Sequence, residues 1–332
     1  MDPVISSPPA TASQNVSGQR LEHLPVAIFA TVMGIAGLTL VWLKAHAVLG
    51  MPVFVGEGLR GVASALFGLL LVFYGLKAVR YPQAVKMEMR HPIRLSFFPT
   101  ISISLLLLAI CYLETAPSIA YGLWVVGAVL HLVLTVVIFG SWLHHAHYTI
   151  QHANPSWFIP VVGNIVIPIA GVRLGSPELS WFFFSVGMVF WIVMLSIILN
   201  RLIFHETLPA RLVPTLFILM APPSVGFISY THLVGGLDVF ARVLYYTALF
   251  LALLLASNAP RFLRLPFFLS TWACTFPLAA FTLATLIMST YLNATLFVAL
   301  GYGLLIFLSV LIAALAVRTL VAVWRRQICL PE

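Results

Sequence analysis

The sequence predicts an all-α integral membrane protein with ten transmembrane helices, five of them broken by prolines and five unbroken. Three observations predict this class: the apolar composition, the regular succession of apolar stretches, and the alternation of prolines between them. Of the 332 residues, 61% are hydrophobic and 8% are charged, and the mean hydropathy is +1.07. Soluble domains carry about 25% charged residues, so the composition excludes a soluble globular protein.

The apolar stretches are each long enough to cross a bilayer, which takes about 20 helical residues. Short connections separate them, so we expect no large soluble domain. A polar segment, residues 1–23, is expected to be a disordered N-terminus, and residues 321–332 a C-terminal tail, on either side of a transmembrane domain over 24–320. The predicted spans are 25–43, 61–79, 95–113, 118–143, 156–173, 179–200, 212–231, 239–257, 264–289 and 293–318.

Interior prolines occur only in odd-numbered spans. A proline inside a helix removes a backbone hydrogen bond and kinks the axis. In a membrane, the freed carbonyl groups must face protein or a water-filled cavity. We therefore expect five helical hairpins, with the odd helices lining a central pore and the even helices outside them against lipid. The interior prolines are Pro99, Pro160, Pro168, Pro214, Pro222, Pro223 and Pro277.

The basic residues predict the orientation. Loops that join an odd span to the following even span hold four of the 17 lysines and arginines, and the termini and other loops hold the rest. The positive-inside rule therefore places both termini in the cytoplasm, and we expect a bacterial inner (plasma) membrane. This asymmetry accounts for the net charge of +8, so nucleic acid is not an expected partner.

The hydrocarbon core of each predicted span lacks Asp, Glu, Lys and Arg. Coupled carriers usually hold such a residue in mid-membrane, and an intramembrane enzyme needs a general acid or base. The sequence thus indicates a passive pore and no enzyme. His131, in the fourth span, is expected to form hydrogen bonds between helices.

The sequence predicts no cofactor and no metal site. The histidines at 144, 145, 147 and 152 have no neighbouring Cys, Asp or Glu to complete a ligand set. The three cysteines are scattered and are expected to be free thiols.

The ninth span combines small and hydroxyl-bearing residues with one bulky ring beside a proline. Phe276 would plug a narrow lumen if its ring projected into it, and dewetting would deepen the block. The spacing alone equally allows Phe276 to pack between helices. The surrounding polar and small residues fall on two adjoining helix faces: Ser270, Cys274 and Pro277 on one, Thr271 and Thr275 on the other.

Five segments, in order along the chain, resemble the slow-anion-channel family, which includes plant guard-cell slow anion channels, bacterial TehA tellurite-resistance proteins and yeast dicarboxylate transporters. Within this family, the chain resembles a bacterial TehA homologue. The segments are Leu24-Pro25 with Gly34, HPIRLSFF at 91–98, PSWFIPVVGN at 155–164, APPS at 221–224 with SY at 229–230, and TFP at 275–277.

The resemblance implies a homotrimer in which each subunit has its own pore, with Phe276 as the gate. It implies a gated channel that passes small inorganic or carboxylate anions, such as chloride and nitrate, through the bilayer. The alternatives are a dicarboxylate (malate) or tellurite exporter working by alternating access, and a non-transporting scaffold with a plugged lumen. Further pore-lining candidates at a similar depth are Ala30, Met33, Gly34, Pro99, Pro160, Pro223 and Phe227.

Overall fold

The computed structural model describes residues 20–144 and 148–329, and these residues contain helices and no strand. Nine of the described helices are long and apolar enough to cross a membrane, and Pro155–Gly171 is a shorter apolar helix at the predicted fifth span. The prediction of an all-α membrane protein is confirmed, while the exact count of ten crossings stays a prediction. Most of the predicted disordered N-terminus, the end of the tail, and residues 145–147 lie outside the described residues.

Five helices form an inner set in the odd predicted spans. They make a closed ring in which α1 packs on α4, α4 on α6, α6 on α8, α8 on α11, and α11 on α1. Burial is high along their most apolar stretches, at 67–83% of residues for the four longest inner spans, and every residue of α6 is buried. The inner helices are α1 (Ala30–Leu49), α4 (Pro99–Tyr112), α6 (Ile159–Gly171), α8 (Ala221–Val234) and α11 (Thr275–Leu292).

Five longer or more exposed helices form an outer set in the even predicted spans. Each packs against the inner helix that precedes it in the chain. Only 22–39% of residues are buried in their most apolar stretches, so they present an apolar face outward, as a lipid-facing helix does. The outer helices are α2 (Val53–Arg80), α5 (Pro117–His144), α7 (Pro177–Phe204), α9 (Val239–Ser257) and α12 (Thr295–Trp324); the connections hold α3 (Pro82–Arg90) and α10 (Ala259–Leu263).

Each inner span begins as a 3₁₀ helix and then becomes α-helical. Four of the five α-helices carry a proline within their first three residues: Pro99, Pro160, Pro222 with Pro223, and Pro277. The first turn of an α-helix has no partner for its N–H groups, so proline is tolerated there. These prolines therefore mark a change of helix type, which corrects the expectation of kinks at these positions. Pro168 does lie inside α6, and Pro214 lies inside a 3₁₀ segment. The 3₁₀ segments are Val26–Phe29, Arg94–Phe97, Pro155–Phe158, Ala210–Met220 and Leu269–Cys274.

His131 joins the two sets, as predicted. Its Nε2 donates to the Pro160 carbonyl oxygen at 3.1 Å, and its Nδ1 is bonded to the Ser102 hydroxyl at 2.9 Å. The ring lies so close to Gly163 that a Cβ atom at that position would overlap it. The outer helix α5 is thus held against both α4 and α6 by a buried polar group.

A buried ion pair, which the sequence did not reveal, anchors the beginning of the first inner span. Lys77 on α2 and Glu88 on α3 are 3% and 4% exposed, with Nζ and Oε2 2.8 Å apart. Glu88 also accepts hydrogen bonds from the Tyr74 hydroxyl at 2.9 Å and the Val26 backbone N–H at 2.7 Å. Lys77 donates to the Leu24 carbonyl oxygen at 2.7 Å. The charges are buried with their hydrogen-bonding groups occupied, so the pair fixes the backbone at Leu24–Val26.

Candidate functional site

Two cavities lie inside the ring of inner helices, and Phe276 contributes to the walls of both. Their volumes are about 30 and about 20 Å³, which is room for one or two water molecules in each. The Phe276 side chain is 8% exposed. Phe276 therefore stands between two small spaces in a lumen that is too narrow, in this conformation, for a hydrated anion.

All five inner helices run in the same direction past this residue. Residues near the beginning of each one line the first cavity, and residues further along each one line the second. We call the two ends of the lumen the amino-end mouth and the carboxyl-end mouth, after the helix ends found there. The first cavity lies toward the amino-end mouth and the second toward the carboxyl-end mouth.

The walls of both cavities are apolar. Two of the described lining residues carry a polar group, and both groups are engaged elsewhere. The Thr100 hydroxyl donates to the Phe97 carbonyl oxygen at 2.6 Å, and the Trp272 indole N–H donates to the Thr319 hydroxyl at 2.9 Å. No described lining residue is charged. A narrow apolar constriction of this kind excludes water, and an ion cannot enter without losing its hydration shell.

Four of the predicted site residues line these cavities: Ala30, Met33, Phe276 and Pro277. Gly34 instead faces Thr275, whose hydroxyl a Cβ atom at Gly34 would overlap. These two residues allow α1 and α11 to approach each other closely.

The remaining predicted pore residues line neither cavity. Phe227 is fully buried and packs outward, with its ring centroid 5.5 Å from that of Tyr245 on α9. The Ser270 hydroxyl donates to the Arg211 carbonyl oxygen, and the Thr275 hydroxyl donates to the Trp272 carbonyl oxygen at 2.7 Å. The hydroxyls of the ninth span are thus engaged with backbone groups. The others outside both linings are Pro99, Pro160, Pro223, Thr271 and Cys274.

Sequence reasoning missed most of the lining residues of the first cavity, because it selected the prolines themselves. The walls are made by residues within about one turn of the junction between 3₁₀ and α-helix. The prolines near the junctions are the sequence signal that could have located these neighbours. The missed residues are Phe97, Thr100, Ile103, Ile159, Val162, Ile218, Ala221, Trp272 and Ala273.

The α-helical parts of the inner spans all begin at the level of the first cavity. Their first or second residues are in its wall on every inner helix: Ala30, Thr100, Ile159, Ala221 and Phe276. An α-helix carries a partial positive charge at its amino end. Because each α-helix continues a 3₁₀ segment, the aligned peptide dipoles extend to the amino-end mouth, so the partial positive charge of all five inner spans lies on that side of Phe276.

Basic residues lie along the chain near the amino-end mouth. Arg94 begins one 3₁₀ segment, Arg211 is near the beginning of another, and Arg261 is on α10 just before a third. Positive groups at a mouth raise the local concentration of anions. The charge of the mouth and the potential of the helix ends therefore have the same sign.

A protein-family model described as voltage-dependent anion channel matches residues 23–320 of the chain. The S-type anion channel SLAH3 of Arabidopsis thaliana is 31% identical over 311 residues, which cover 91% of this chain and 48% of that protein. The Tellurite resistance protein TehA homolog of Haemophilus influenzae is 26% identical over 261 residues, covering 77% and 79%. The Uncharacterized transporter MJ0762 of Methanocaldococcus jannaschii is 26% identical over 264 residues, covering 72% and 77%. The chain spans about half the length of the plant relative.

Proposed function

Because the chain belongs to the voltage-dependent anion channel family, we propose that it is a gated anion channel whose lumen is closed by Phe276. The observation that carries the proposal is the position of this side chain between two cavities inside one ring of five inner helices. In this proposal, the aromatic ring of Phe276 separates the amino-end half of the lumen from the carboxyl-end half.

In this mechanism, an anion enters the first cavity because the amino ends of all five inner spans make the potential on that side of Phe276 positive. No described lining residue is charged, so nothing in the wall binds the anion tightly enough to trap it. Weak binding favours passage. The anion must shed water at Phe276, so easily dehydrated anions such as nitrate should pass faster than chloride.

Opening requires the Phe276 side chain to leave the axis. Its neighbours at this level are small or flexible: Ala30, Met33, Ala279 and Ala280 line the adjacent walls. A rotation of the ring toward such residues displaces few atoms. The gate can therefore move without a rearrangement of the five-helix ring.

The test is anion flux into liposomes that hold purified Phe276→Ala or wild-type protein, with chloride, nitrate and malate compared at fixed voltage. We expect the variant to conduct at least about ten-fold faster, because an apolar block of even about 1.4 kcal/mol corresponds to that factor. Phe227→Ala is the matched control, since it truncates a buried ring on an inner helix outside both cavities. Equal flux through Phe276→Ala and wild type would refute the gate.

The second candidate function is a dicarboxylate or tellurite exporter that works by alternating access. The similarity to a protein named for tellurite resistance supports it. Such a carrier would show slow, saturable flux in the wild type, and truncation of Phe276 would not convert this to voltage-driven conduction. The same liposome experiment therefore separates the two functions.

For the assembly, we propose a homotrimer in a bacterial inner membrane with both termini in the cytoplasm. The exposed apolar faces of the outer helices support contact with lipid or with further copies of the chain. Each subunit has its own five-helix ring, so each would conduct independently. Light scattering in detergent measures the subunit number, and labelling of single cysteines near residue 20 and in the 235–238 loop measures the orientation.

A further inference from the structure

A layer of basic side chains lies one turn beyond the second cavity, toward the carboxyl-end mouth. Side chains four residues apart lie on the same face of a helix, about 6 Å apart along its axis. Three residues of the second-cavity wall have a basic residue at this spacing. The pairs are Leu40 with Lys44 on α1, Ile169 with Arg173 in the turn that continues α6, and Ile228 with His232 on α8.

By this spacing, the three residues lie on the lumen-facing sides of three different inner spans. In the ring of inner helices, α1 lies between α4 and α11, so α6 and α8 are not its neighbours. The charges of Arg173 and Lys44 are nevertheless within electrostatic range of the His232 imidazole. Lys44 also lies one turn beyond Leu40, which lines the second cavity, on the same face of α1. Lys44 therefore extends toward the lumen and not along the lipid-facing surface.

Lys44 has no counter-ion among the described residues. It is partly buried, and none of the described side chains forms a hydrogen bond or ion pair with it. Arg173 is bonded to Glu114, and the His232 Nδ1 donates to the Ile228 carbonyl oxygen at 2.7 Å. A partly buried ammonium group without a partner is costly, and a bound anion would remove that cost.

None of the acidic groups that the structure describes at this end forms an ion pair with Lys44. Glu114 is exposed and is engaged by Arg173. Of the other acidic residues at this end, Glu57 pairs with Arg60 and Glu178 is exposed in the first turn of α7. Asp238 accepts hydrogen bonds from the Tyr230 hydroxyl and the Ala241 backbone N–H. The carboxyl ends of five parallel helices make this mouth negative. Without a cation here, an anion leaving the second cavity would meet an opposing potential.

We propose that Lys44, with Arg173 and His232 beside it, forms a binding site for a small monovalent anion, inorganic or carboxylate, at the carboxyl-end mouth. The inference rests on the proposed channel function, since it gives that pathway a second site of attraction. The first site, at the helix amino ends, contains no charged side chain. The second offsets the negative potential of the helix carboxyl ends.

Chloride binding is measured directly by the line width of chloride-35 in nuclear magnetic resonance, with nitrate as competitor, on purified protein in detergent. We expect Lys44→Gln to weaken the chloride binding that nitrate displaces by at least about ten-fold, the factor that corresponds to 1.4 kcal/mol. Lys44→Arg keeps the charge and should bind as the wild type does. Arg242→Gln is the matched control, because Arg242 is exposed on the outer helix α9 at the same end of the protein.

Flux gives the second readout, in liposomes with Phe276→Ala as the conducting background. Adding Lys44→Gln should raise the chloride concentration for half-maximal flux by about the same factor, and adding Arg242→Gln should leave it unchanged. Chloride binding by Lys44→Gln equal to that of the wild type would overturn the site. Failure of Phe276→Ala to conduct would overturn the channel function alone, because the resonance measurement does not depend on flux.

Discussion

The inner and outer helices are both apolar, but they differ in burial and in how their backbones begin. Inner spans start as 3₁₀ helices and carry prolines at the junction with the α-helix. Outer helices are unbroken, with prolines only at the first position, as in Pro117 and Pro177. Lipid offers no partner for a free backbone group, whereas a surrounding ring of protein does. Backbone irregularity is thus confined to the part of the fold that lipid does not reach.

The largest loss of stability should come from placing a proline in the middle of an outer helix. Val129→Pro places a proline in the middle of α5, at a side chain that is 59% exposed. It removes a hydrogen bond and leaves a carbonyl group toward lipid, so we expect a loss of about 5 kcal/mol in the free energy of unfolding. Pro99→Ala, at the first position of α4, should cost less than about 1 kcal/mol. Unfolding in mixed micelles titrated with dodecyl sulfate measures the loss for each variant. Equal losses would contradict the proposed difference between inner and outer helices.

The second-largest loss of stability should come from breaking the buried ion pair that joins the outer helix α2 to the first inner span. Glu88→Gln leaves the Lys77 ammonium buried without a counter-ion, which costs about 3–5 kcal/mol. The same titration should show this loss. Replacing both partners, as Lys77→Met with Glu88→Leu, should recover part of it; a double variant as unstable as the single one would show that packing, and not charge, is responsible.

Contacts between the two sets should give a smaller effect. Gly163→Ala drives a methyl group into the His131 ring, and we expect a loss of about 1–3 kcal/mol from overpacking. Gly122→Ala on α5 is the matched control, because a Cβ atom there meets open space. It should be neutral or stabilising by up to about 1 kcal/mol. Thermal unfolding in detergent compares the two variants. A Gly163→Ala variant as stable as the wild type would show that the close contact between His131 and Gly163 contributes little to stability.

The smallest effect should come from the exposed ion pair between Glu114 and Arg173. The hydrogen bond and charge of Arg173 hold the pKa of the Glu114 carboxyl below its usual range. A lowered pKa in the folded state gives stability that is present above the unfolded pKa of about 4.3 and is lost as the pH falls through the lower folded value. At pH 7, Glu114→Gln should therefore cost less than about 1 kcal/mol. The difference should vanish below the folded pKa, and a difference that persists in acid would point to packing.

The division into two helix sets was predictable because it depends on proline, whose backbone chemistry is the same in every context. Positions such as Pro99 and Pro277 identified the inner spans correctly. The change from 3₁₀ to α-helix was not predictable, since both helix types accept proline in their first turn. The prolines therefore indicated where the junctions lie, but not that the helix changes there from 3₁₀ to α.

The site was predictable only in part. Phe276 stood out as a bulky ring among small residues, and Ala30 and Met33 were placed at its depth by the resemblance. Trp272 and Ile218 were missed because lining depends on helix rotation, which a span that is buried on all sides does not reveal through its hydrophobic pattern. Burial of Glu88 was missed for another reason, since it requires α3 to fold back on α2.

The outer helices also differ among themselves in length. At about 1.5 Å per residue, the 28 residues of α2, α5 and α7 span about 42 Å and the 30 residues of α12 about 45 Å, whereas the 19 residues of α9 span about 28 Å. The hydrocarbon core of a bilayer is about 30 Å thick. The bilayer thus matches α9 upright, while the other four must tilt or extend into the headgroups. Because α9 has no excess length with which to tilt, we expect a bilayer with longer acyl chains to be mismatched first beside α9.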